Sequence, residues 1–392
     1  MKAPSRKAFG DEERLSLLKC IEYYVDQEND PPYDGVYQKK WESLFSKKMG
    51  GGYCVAVSSG SNASYIALKA LELKKRTVLM SPVTDTSSLL SILMAGYLPV
   101  IVDTAKDSYN SSLEYFQQAY RSDVGAIYLV HTYGVPADVK NIKRFCEQKQ
   151  IALIEDCSQA PFAKEENQYV GTFGEIAVVS TMYRKTLNTS SSGGIVFTRN
   201  EMVYRSVIEY SDRGRRKWDE KSDARDGGDI TRLSLNFNIG EFSSAVGIAS
   251  LGRVDEVIRK RTSLIRRLET GLKSLDKFLS IMKFPDGCSP FLVPIVLTQM
   301  GLDQRDNIFR TLHEYEIPFA STYPCFAFDW QITQKLRKML IWDRILAMRK
   351  RISYHHNAEQ LKAKSFNIFM HEGYTDEYID YIIKALAKAL AK

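Results

Sequence analysis

The amino-acid sequence predicts an α/β fold, in which a seven-stranded, mainly parallel sheet is covered by helices on both faces and is followed by a smaller C-terminal α+β domain. Three observations predict it. From about residue 53 to residue 198, short apolar runs alternate with segments of helical periodicity. The runs are continuously apolar, which is typical of parallel strands buried on both faces. After residue 240 this alternation ends and longer helical segments follow.

The seven predicted strands share a short apolar core and polar or glycine residues at their ends. They cover residues 55–57, 77–80, 100–103, 126–131, 152–155, 177–180 and 195–198. Helical periodicity between them predicts helices over 63–73, 87–95 and 139–148. Because ligands of parallel sheets bind at the carboxyl ends of the strands, we expect a functional site at that edge.

The segment 242–275 has the length of one long helix or of two consecutive helices. We expect it to link two domains, a large one over 1–250 and a small one over 251–392. In the small domain, the pattern predicts a strand over 291–297. It also predicts helices over 304–315, 349–362 and 376–390.

The composition is that of an ordinary globular protein, with 392 residues, 44% of them hydrophobic and 26% charged. No apolar run reaches about eighteen residues and the amino terminus is polar, so we expect no membrane span, no secretory signal and a cytoplasmic location. The net charge of +7 is spread along the chain, which argues against a nucleic-acid partner. The six cysteines lack metal-ligand spacing, so we predict reduced thiols and no metal site.

Lys185 is the first candidate catalytic residue. It follows the predicted strand 177–180 by five residues and precedes Gly193 by eight, and Asp156 lies about thirty positions before it. Pyridoxal phosphate needs both groups, an amine that binds it covalently and carries protons, and a buried carboxylate that keeps its ring nitrogen protonated. A single lysine after a strand is usually a solvated surface charge, so the neighbouring motifs must decide.

A second candidate is the turn Ser58-Ser59-Gly60-Ser61-Asn62, between a strand and a helix. Glycine there lets backbone amides approach an anion, and the helix amino terminus adds a partial positive charge. The alternative is a plain turn with a serine cap. Ser180, at the end of another strand, is a second polar group that could point at the same place.

Asp156 and Gln159 follow the strand 152–155. An aspartate at a strand end is more often a helix cap. The alternative is that Asp156 forms an ion pair with a pyridine nitrogen and that Gln159 contacts the ring or its 3-oxygen.

Six motifs occur in a fixed order along the chain. They are Ser59-Gly60-Ser61, VHTYGVPAD at 130–138, IEDCSQA at 154–160, VGTFGEI at 170–176, the lysine segment 180–187, and GGIVFT at 193–198. In this order and spacing the chain resembles the DegT/StrS family of pyridoxal-phosphate-dependent sugar aminotransferases nearly end to end. The segment from His371 to Asp376, before the last helix, also resembles that family's closing segment.

The resemblance implies a type I aminotransferase fold, a homodimer with the cofactor at the subunit interface, and pyridoxal 5'-phosphate or its pyridoxamine form as cofactor. It implies Lys185 as the cofactor-bearing lysine and proton carrier, and Asp156 on the pyridine nitrogen. Asn236 is expected to reach across the dimer to the other subunit's cofactor phosphate. The residues expected to contact the cofactor are Gly60, Ser61, Asn62, Asp85, Asp156, Gln159, Ser180, Lys185 and Asn236.

The chain departs from the family pattern at three places, one of which is Ser191-Ser192, where the family usually has Gly-Glu before the two glycines. Asp85 stands where the family usually has an aromatic residue that stacks on the cofactor, and Asn238 stands where an arginine is usual. Asp85 could hydrogen-bond the substrate instead or face away. The basic cluster from Arg213 to Lys217 is either a solvated loop or a lip for a phosphorylated substrate, so Arg213 and Arg215 are candidate substrate contacts. Tyr323 is a further candidate.

The function predicted from the resemblance is transfer of an amino group, with glutamate as the expected donor, to a nucleotide-linked keto-sugar in cell-surface polysaccharide or deoxyaminosugar biosynthesis. A smaller phosphorylated ketone is an alternative acceptor, because Asn238 removes a positive charge. A dehydratase of the same family is a second alternative, although such enzymes usually have histidine in place of Lys185. A catalytically silent homologue is a third, but such a protein has no physical reason to keep Lys185, Asp156 and Gln159 together.

Overall fold

The computed structural model describes residues 1–218, 230–298, 302–321 and 356–391. The strands within these residues are β1 Tyr53–Val57, β2 Thr77–Met80, β3 Leu98–Ile101, β4 Val124–Val130, β5 Ala152–Asp156, β6 Lys164–Glu165, β7 Gln168–Tyr169, β8 Ile176–Ser180, β9 Gly194–Thr198, β10 Leu279–Ile281, β11 Leu292–Leu297, β12 Phe319–Ala320 and β13 Ser365–Phe369. The α-helices are α1 Asp11–Asp26, α2 Val36–Lys48, α3 Gly60–Ala70, α4 Thr86–Met94, α5 Leu113–Ala119, α6 Val139–Lys149, α7 Glu201–Ser211, α8 Glu241–Leu272, α9 Leu302–Glu314, α10 His356–Lys364 and α11 Asp376–Leu390.

The predicted seven-stranded, mainly parallel sheet is confirmed. Its strand order is β1-β9-β8-β5-β4-β2-β3, and β9 alone among these strands runs antiparallel to its neighbours. Asp156 at the end of β5 is in register with Val178 of β8, which places it beside the strand that ends at Ser180. The polar residues at the carboxyl ends of β1, β5 and β8 therefore lie at one edge of the sheet.

The strands are continuously apolar because helices cover both faces of the sheet. Val78 and Met80 of β2 pack in one buried cluster with residues of α3 and α4. Leu79, between them, packs on the opposite face with Phe116 of α5 and Ile142 of α6. Successive side chains of a strand point to opposite faces, so a sheet covered on both sides requires apolar residues at every position.

A second, four-stranded antiparallel sheet has the order β10-β11-β13-β12. Its core contains residues of α9 and α11 and the second half of α8, including Leu264 and Leu268. Of the two alternatives for residues 242–275, the single long helix is the correct one. The boundary at 250/251 falls within α8, and the division into two domains there stays a prediction. No helix in the described ranges has the length and apolar character to cross a membrane.

Two differences from the predicted elements have physical explanations: α1 and α2 were not predicted, and β3 lies earlier than the strand predicted over 100–103. The helices α1 and α2 lack a clean apolar stripe, since α1 buries Cys20 and Tyr24 but exposes Leu15 and Val25. Strand β3 begins two residues before the predicted one and includes Pro99; an edge strand tolerates proline because its outer amides need no partner.

One predicted helix lies only partly within the residues that the structure describes. Of the helix predicted over 349–362, residues 349–355 lie outside the described residues, and α10 continues to Lys364. The described cysteines are free and buried, and Cys325 is outside these ranges.

Glu241 joins three helices at one buried point. Helix α2 begins after Gly35, which has no side chain to cap it. The amides of Tyr37 and Gln38 instead donate to the Glu241 carboxylate at 2.8 Å each, and the Tyr24 hydroxyl also donates to it. A carboxylate at a helix amino terminus satisfies free amides and interacts favourably with the helix dipole.

Replacement of Glu241 by Ala should lower the free energy of unfolding by about 3 kcal/mol, because several buried donors lose a charged acceptor. Urea denaturation would measure this. The matched control is Glu256→Ala, at an exposed position of the same helix α8. Equal stabilities of the two variants would show that Glu241 has no such role.

Candidate active site

Four sequence-predicted residues from distant segments meet at the carboxyl edge of the large sheet. Gly60 opens α3, and a Cβ atom at this position would lie 2.6 Å from the Cβ of Ser180. Lys185 follows Ser180 in the loop between β8 and β9, and the charge of Asp156 acts on its amine. The structure therefore brings Gly60, Asp156, Ser180 and Lys185 into one site.

The turn at the start of α3 is built around two close backbone approaches. Ser59 caps the helix, and its side chain accepts a hydrogen bond from the amide of Asn62 at 3.1 Å. A Cβ on Gly194 would lie 2.4 Å from the carbonyl oxygen of Ser59. The serine-cap alternative is thus correct as a description of the local structure. It is compatible with an anion site, because the helix amino terminus and Ser180 adjoin the same glycine.

The side chains of Ser61 and Asn62 differ in their surroundings. Ser61 is exposed, and its carbonyl accepts a hydrogen bond from Ser91. The Asn62 amide nitrogen donates to the hydroxyl oxygen of Ser58 at 2.9 Å, which orients the Asn62 side chain along the turn. Contact of either residue with a phosphate stays a prediction.

Asp156 is buried and held by three donors. Its Oδ1 accepts from the amide of Ser158 at 2.9 Å, and its Oδ2 accepts from the Tyr128 hydroxyl at 3.0 Å and from the Ser88 hydroxyl at 3.3 Å. No α-helix begins in the described residues directly after Asp156, so the helix-cap alternative is wrong. These three donors fix the orientation of the carboxylate.

Tyr128 and Ser88 were not predicted as site residues. The Tyr128 hydroxyl also shares a hydrogen bond of 2.8 Å with Ser64, and Ser88 shares one of 2.7 Å with Thr84. The only signal in the sequence is a tyrosine in the middle of an apolar strand, because a buried tyrosine hydroxyl requires a partner. The pattern does not say which partner that is.

Lys185 is buried, with 8% of its surface exposed. Its Nζ lies 4.3 Å from the centroid of the Phe291 ring, at the start of the small sheet. Burial lowers the pKa of Lys185 to about 8, although the negative charges of Asp156 and Asp85 act in the opposite direction. A lysine that loses its proton near neutral pH can act as a nucleophile and as a base.

Gln159 is also buried in this region. Its Oε1 accepts a hydrogen bond of 2.8 Å from the amide of Tyr133, a residue with the positive φ of 58°. Gln159 is thus oriented by the turn that follows β4, and its predicted contact with the cofactor ring stays a prediction.

Asp85 is exposed and caps α4. Its carboxylate accepts from the amide of Ser87 at 2.9 Å. The sequence left open whether Asp85 faces substrate or turns away, and the structure adds a local function as a helix cap. Its charge still raises the pKa of Lys185. A direct contact with the cofactor stays a prediction.

The basic cluster at Arg213 surrounds one buried carboxylate. Arg213 Nε lies 2.7 Å from Asp212, Lys217 Nζ lies 3.0 Å from it, and Arg215 lies 3.7 Å from it. Burial would raise the pKa of Asp212, but the Arg213 hydrogen bond and the Lys217 charge hold it below its usual value. Part of the cluster's positive charge is therefore neutralised within the chain.

Asn236 is exposed and pairs with Asp212 through an isolated antiparallel bridge. Its Oδ1 accepts hydrogen bonds from both the amide and the side chain of Asn238, at 3.0 and 2.8 Å. Tyr323, the remaining candidate substrate contact, lies outside the described residues.

His131, Glu155 and Cys157 form a buried group whose ligand atoms lie within 4.8 Å of one another. The amide of Ala137 donates to His131 Nδ1, so Nε2 carries the proton and donates to Glu155 at 3.1 Å. Glu155 also accepts from three amides between residues 171 and 174. These hydrogen bonds already engage the ring nitrogens of His131 and the carboxylate of Glu155, which favours a structural role in holding the turn after β7.

Similarity to known proteins extends over most of the chain. Residues 27–387 match the model of the DegT/DnrJ/EryC1/StrS aminotransferase family. The GDP-perosamine synthase of Vibrio cholerae is 26% identical over 305 residues, which cover 74% of this chain and 79% of that protein. The GDP-perosamine synthase of Escherichia coli O157:H7 is 27% identical over 246 residues, which cover 62% of this chain and 64% of that protein.

A solved structure shares the fold. The aminotransferase PseC of Helicobacter pylori, involved in the biosynthesis of pseudoaminic acid, superposes with a TM-score of 0.85 and 18% sequence identity. The superposition covers 99% of this chain and 98% of that one. The predicted fold type is thereby confirmed.

The low pKa of Lys185 leads to a prediction for the full-length protein freed of cofactor. Because only the neutral amine reacts, labelling of Lys185 by an amine-reactive reagent should rise with pH around a midpoint of about 8. Asp156→Asn should move this midpoint lower, since it removes a negative charge that stabilises the protonated amine. Mass spectrometry of the Lys185 peptide would measure it.

The control for this experiment is Asp107→Asn, which neutralises an exposed aspartate after β3. It should leave the midpoint unchanged. A midpoint near 10.5 in the unmodified protein, or an upward shift in Asp156→Asn, would contradict burial of the Lys185 amine near the Asp156 carboxylate.

Proposed function

Because the chain belongs to the DegT/DnrJ/EryC1/StrS aminotransferase family, we propose that it transfers an amino group from glutamate to a keto-sugar. The membership confirms the predicted family, the predicted class of pyridoxal-phosphate-dependent aminotransferase and the predicted cofactor. The roles of individual residues, the donor, the exact acceptor and the oligomeric state are proposals.

The observation that carries the proposal is the buried Lys185 amine near the buried Asp156 carboxylate. The residues of the site fit pyridoxal phosphate on three counts. The pKa of Lys185 is about 8, Asp156 is oriented by three hydrogen bonds, and Gly60 leaves room that a Cβ would fill beside Ser180. When bound, pyridoxal phosphate supplies a conjugated ring that accepts the electrons of a carbanion formed at the amino-bearing carbon.

The chain's own residues have separate tasks in this proposal. Lys185 binds the cofactor through its amine and then moves a proton at the amino-bearing carbon of donor and product. Asp156 holds a proton on the pyridine nitrogen. The amino terminus of α3 and Ser180 hold the phosphate, with Gly60 permitting close approach of the backbone. The overall exchange of an amino group for a carbonyl oxygen needs no further oxidant or reductant.

The experiment that tests this assignment is borohydride reduction of the holoenzyme followed by peptide mapping. The cofactor should be found on the peptide that contains Lys185, and Lys185→Ala should show neither a reducible linkage nor release of 2-oxoglutarate from glutamate. Lys143, which forms an ion pair with Glu175, provides the control Lys143→Ala, which should keep both. Linkage to a different lysine would refute the role of Lys185.

For the acceptor, we propose a nucleotide-linked keto-sugar. Two relatives of about a quarter identity bear the name GDP-perosamine synthase, which supports this substrate class. The pairing of Arg213 and Arg215 with Asp212 weakens the alternative of a smaller phosphorylated ketone, because these arginines already have a carboxylate partner. A screen of keto acceptors against the amine-loaded enzyme would decide; turnover of simple phosphorylated ketones alone would favour the alternative.

We also propose that the active unit is a homodimer. The chain exposes large apolar side chains near Asn236, among them Leu233 at 94% and Leu235 at 69% exposure. Neighbouring exposed apolar side chains are typical of protein interfaces. A second copy of this chain is the proposed partner, since the resemblance places Asn236 at the other subunit's cofactor phosphate.

Replacement of Leu233 and Leu235 together by Asp should convert the dimer to a monomer and weaken retention of the cofactor. Burying two carboxylates in the interface requires a desolvation free energy that the remaining contacts between the subunits cannot compensate. Sedimentation velocity would measure the assembly. Met94→Asp, at another exposed apolar position, is the control. A variant that stays dimeric would place the interface elsewhere.

A further inference from the structure

The loop that carries Lys185 is hydrogen-bonded to Arg6, an arginine of the amino-terminal segment. Arg6 donates from Nη1 to the carbonyl oxygen of Tyr183 and from Nη2 to that of Lys185, each at 2.6 Å. The two carbonyls lie on either side of Arg184 in the chain. The guanidinium therefore clamps the backbone at the lysine itself. Arg6 precedes the residues that match the family model, which begin at position 27.

The Arg6 guanidinium is also held by Glu372, in the closing segment that precedes α11. Arg6 Nε donates to Glu372 Oε1 at 2.9 Å. The other oxygen, Oε2, accepts from Arg261 at 2.8 and 3.0 Å. The amino-terminal segment also touches this region directly, because a Cβ on Gly373 would lie 2.5 Å from the carbonyl oxygen of Ser5.

Arg261 extends the network back to the site. It is buried, with 1% of its surface exposed, and its Nη1 donates to the Thr186 hydroxyl at 3.0 Å and to the carbonyl of Pro290 at 3.1 Å. Thr186 is the residue after Lys185, and Pro290 precedes Phe291, whose ring lies under the Lys185 amine. The network thus contacts both the lysine loop and the segment that covers it.

The network pairs two arginines, Arg6 and Arg261, with the one carboxylate of Glu372. Burial alone would raise the pKa of Glu372, but the adjacent charges of Arg261 and Arg6 lower it to about 2. The neighbouring His371 is neutral near pH 7, because burial lowers its pKa to about 4. Glu372 is therefore ionised throughout the working range, and the hydrogen bonds are charge-assisted.

The loop between β8 and β9 contains no helix or strand that could hold Lys185 in place by itself. Its position depends on side-chain contacts. The position of the Lys185 amine matters for the reaction rate, because a displacement of about 1 Å at a reacting group can lower the rate of catalysis by about a hundredfold.

We propose that Arg6, held by Glu372, is a positioning residue for Lys185. It keeps the amine buried between the large sheet and Phe291, and so couples the amino-terminal segment and the closing segment of the chain to the cofactor-binding lysine. This inference rests on the proposed role of Lys185.

The test compares Arg6→Ala with Arg253→Ala in the full-length protein. Arg253 also ties down the amino-terminal segment, through Glu13 at 2.6 Å and the carbonyl of Ala8 at 2.8 Å, but its bonds do not reach the lysine loop. In Arg6→Ala the labelling midpoint of Lys185 should rise from about 8 toward 10.5, because water enters around the amine. In Arg253→Ala it should stay near 8.

Steady-state kinetics of the holoenzymes provide the second readout. Arg6→Ala should lower kcat about 10- to 100-fold while KM for glutamate changes by less than about threefold, since the reacting amine moves but donor contacts remain. Arg6→Lys keeps the charge but cannot reach both carbonyls, so it should restore less than half of the lost kcat. Glu372→Gln should fall between the wild type and Arg6→Ala.

Two outcomes would overturn the proposal. One is that Arg6→Ala has the same labelling midpoint of Lys185 and the same kcat as Arg253→Ala. The other is that Arg6→Lys has the kcat of the wild type, which would show that a positive charge at position 6 is sufficient. If Arg6→Ala does not fold, Arg6→Lys and Glu372→Gln decide by the same readouts. An error in the proposed function would give a different result from an error in the role of Arg6. In that case, borohydride mapping of the wild type would locate the cofactor on a peptide without Lys185.

Discussion

Burial of an amine close to a buried carboxylate is the constraint on which this site depends. Placing Lys185 in an apolar environment beside Phe291 lowers its pKa from 10.5 to about 8, a shift that corresponds to about 3 kcal/mol against the protonated form. The nearby Asp156 limits this shift, because its negative charge stabilises the protonated amine. The site therefore contains a lysine that exchanges its proton near neutral pH and a carboxylate that remains oriented by its own hydrogen bonds.

The parallel sheet explains how these two groups come together. Strands β5 and β8 are neighbours and run in the same direction, so their carboxyl ends bring Asp156 and Ser180 to one edge. The antiparallel strand β9 starts at that same edge, with Gly194 against the carbonyl of Ser59. A glycine is needed there because any side chain would occupy the space of the α3 turn.

The departures from the family pattern have local consequences in the structure. Asp85 caps α4 and adds negative charge near Lys185, whereas an aromatic residue would do neither. Asn238 pairs with Asn236 and accepts a hydrogen bond from Lys217 at 3.0 Å, so a lysine remains close to the position where the family has an arginine. The loss of one positive charge is therefore partly offset by Lys217, which also pairs with Asp34 and Asp212.

The sequence by itself determined the elements whose cause is local. Continuous apolar runs predicted the buried strands, and the order of the motifs around Gly60, Asp156 and Lys185 predicted the family. It missed α1 and α2, whose apolar residues do not form one stripe, and it left open whether Asp85 hydrogen-bonds the substrate or faces away. Only the tertiary structure decided the groups that orient the site, such as Tyr128 on Asp156 and Phe291 under Lys185. The bond between Arg6 and Glu372 joins residues 366 positions apart. Such contacts arise when separately formed elements pack together, and no local pattern of residues specifies them.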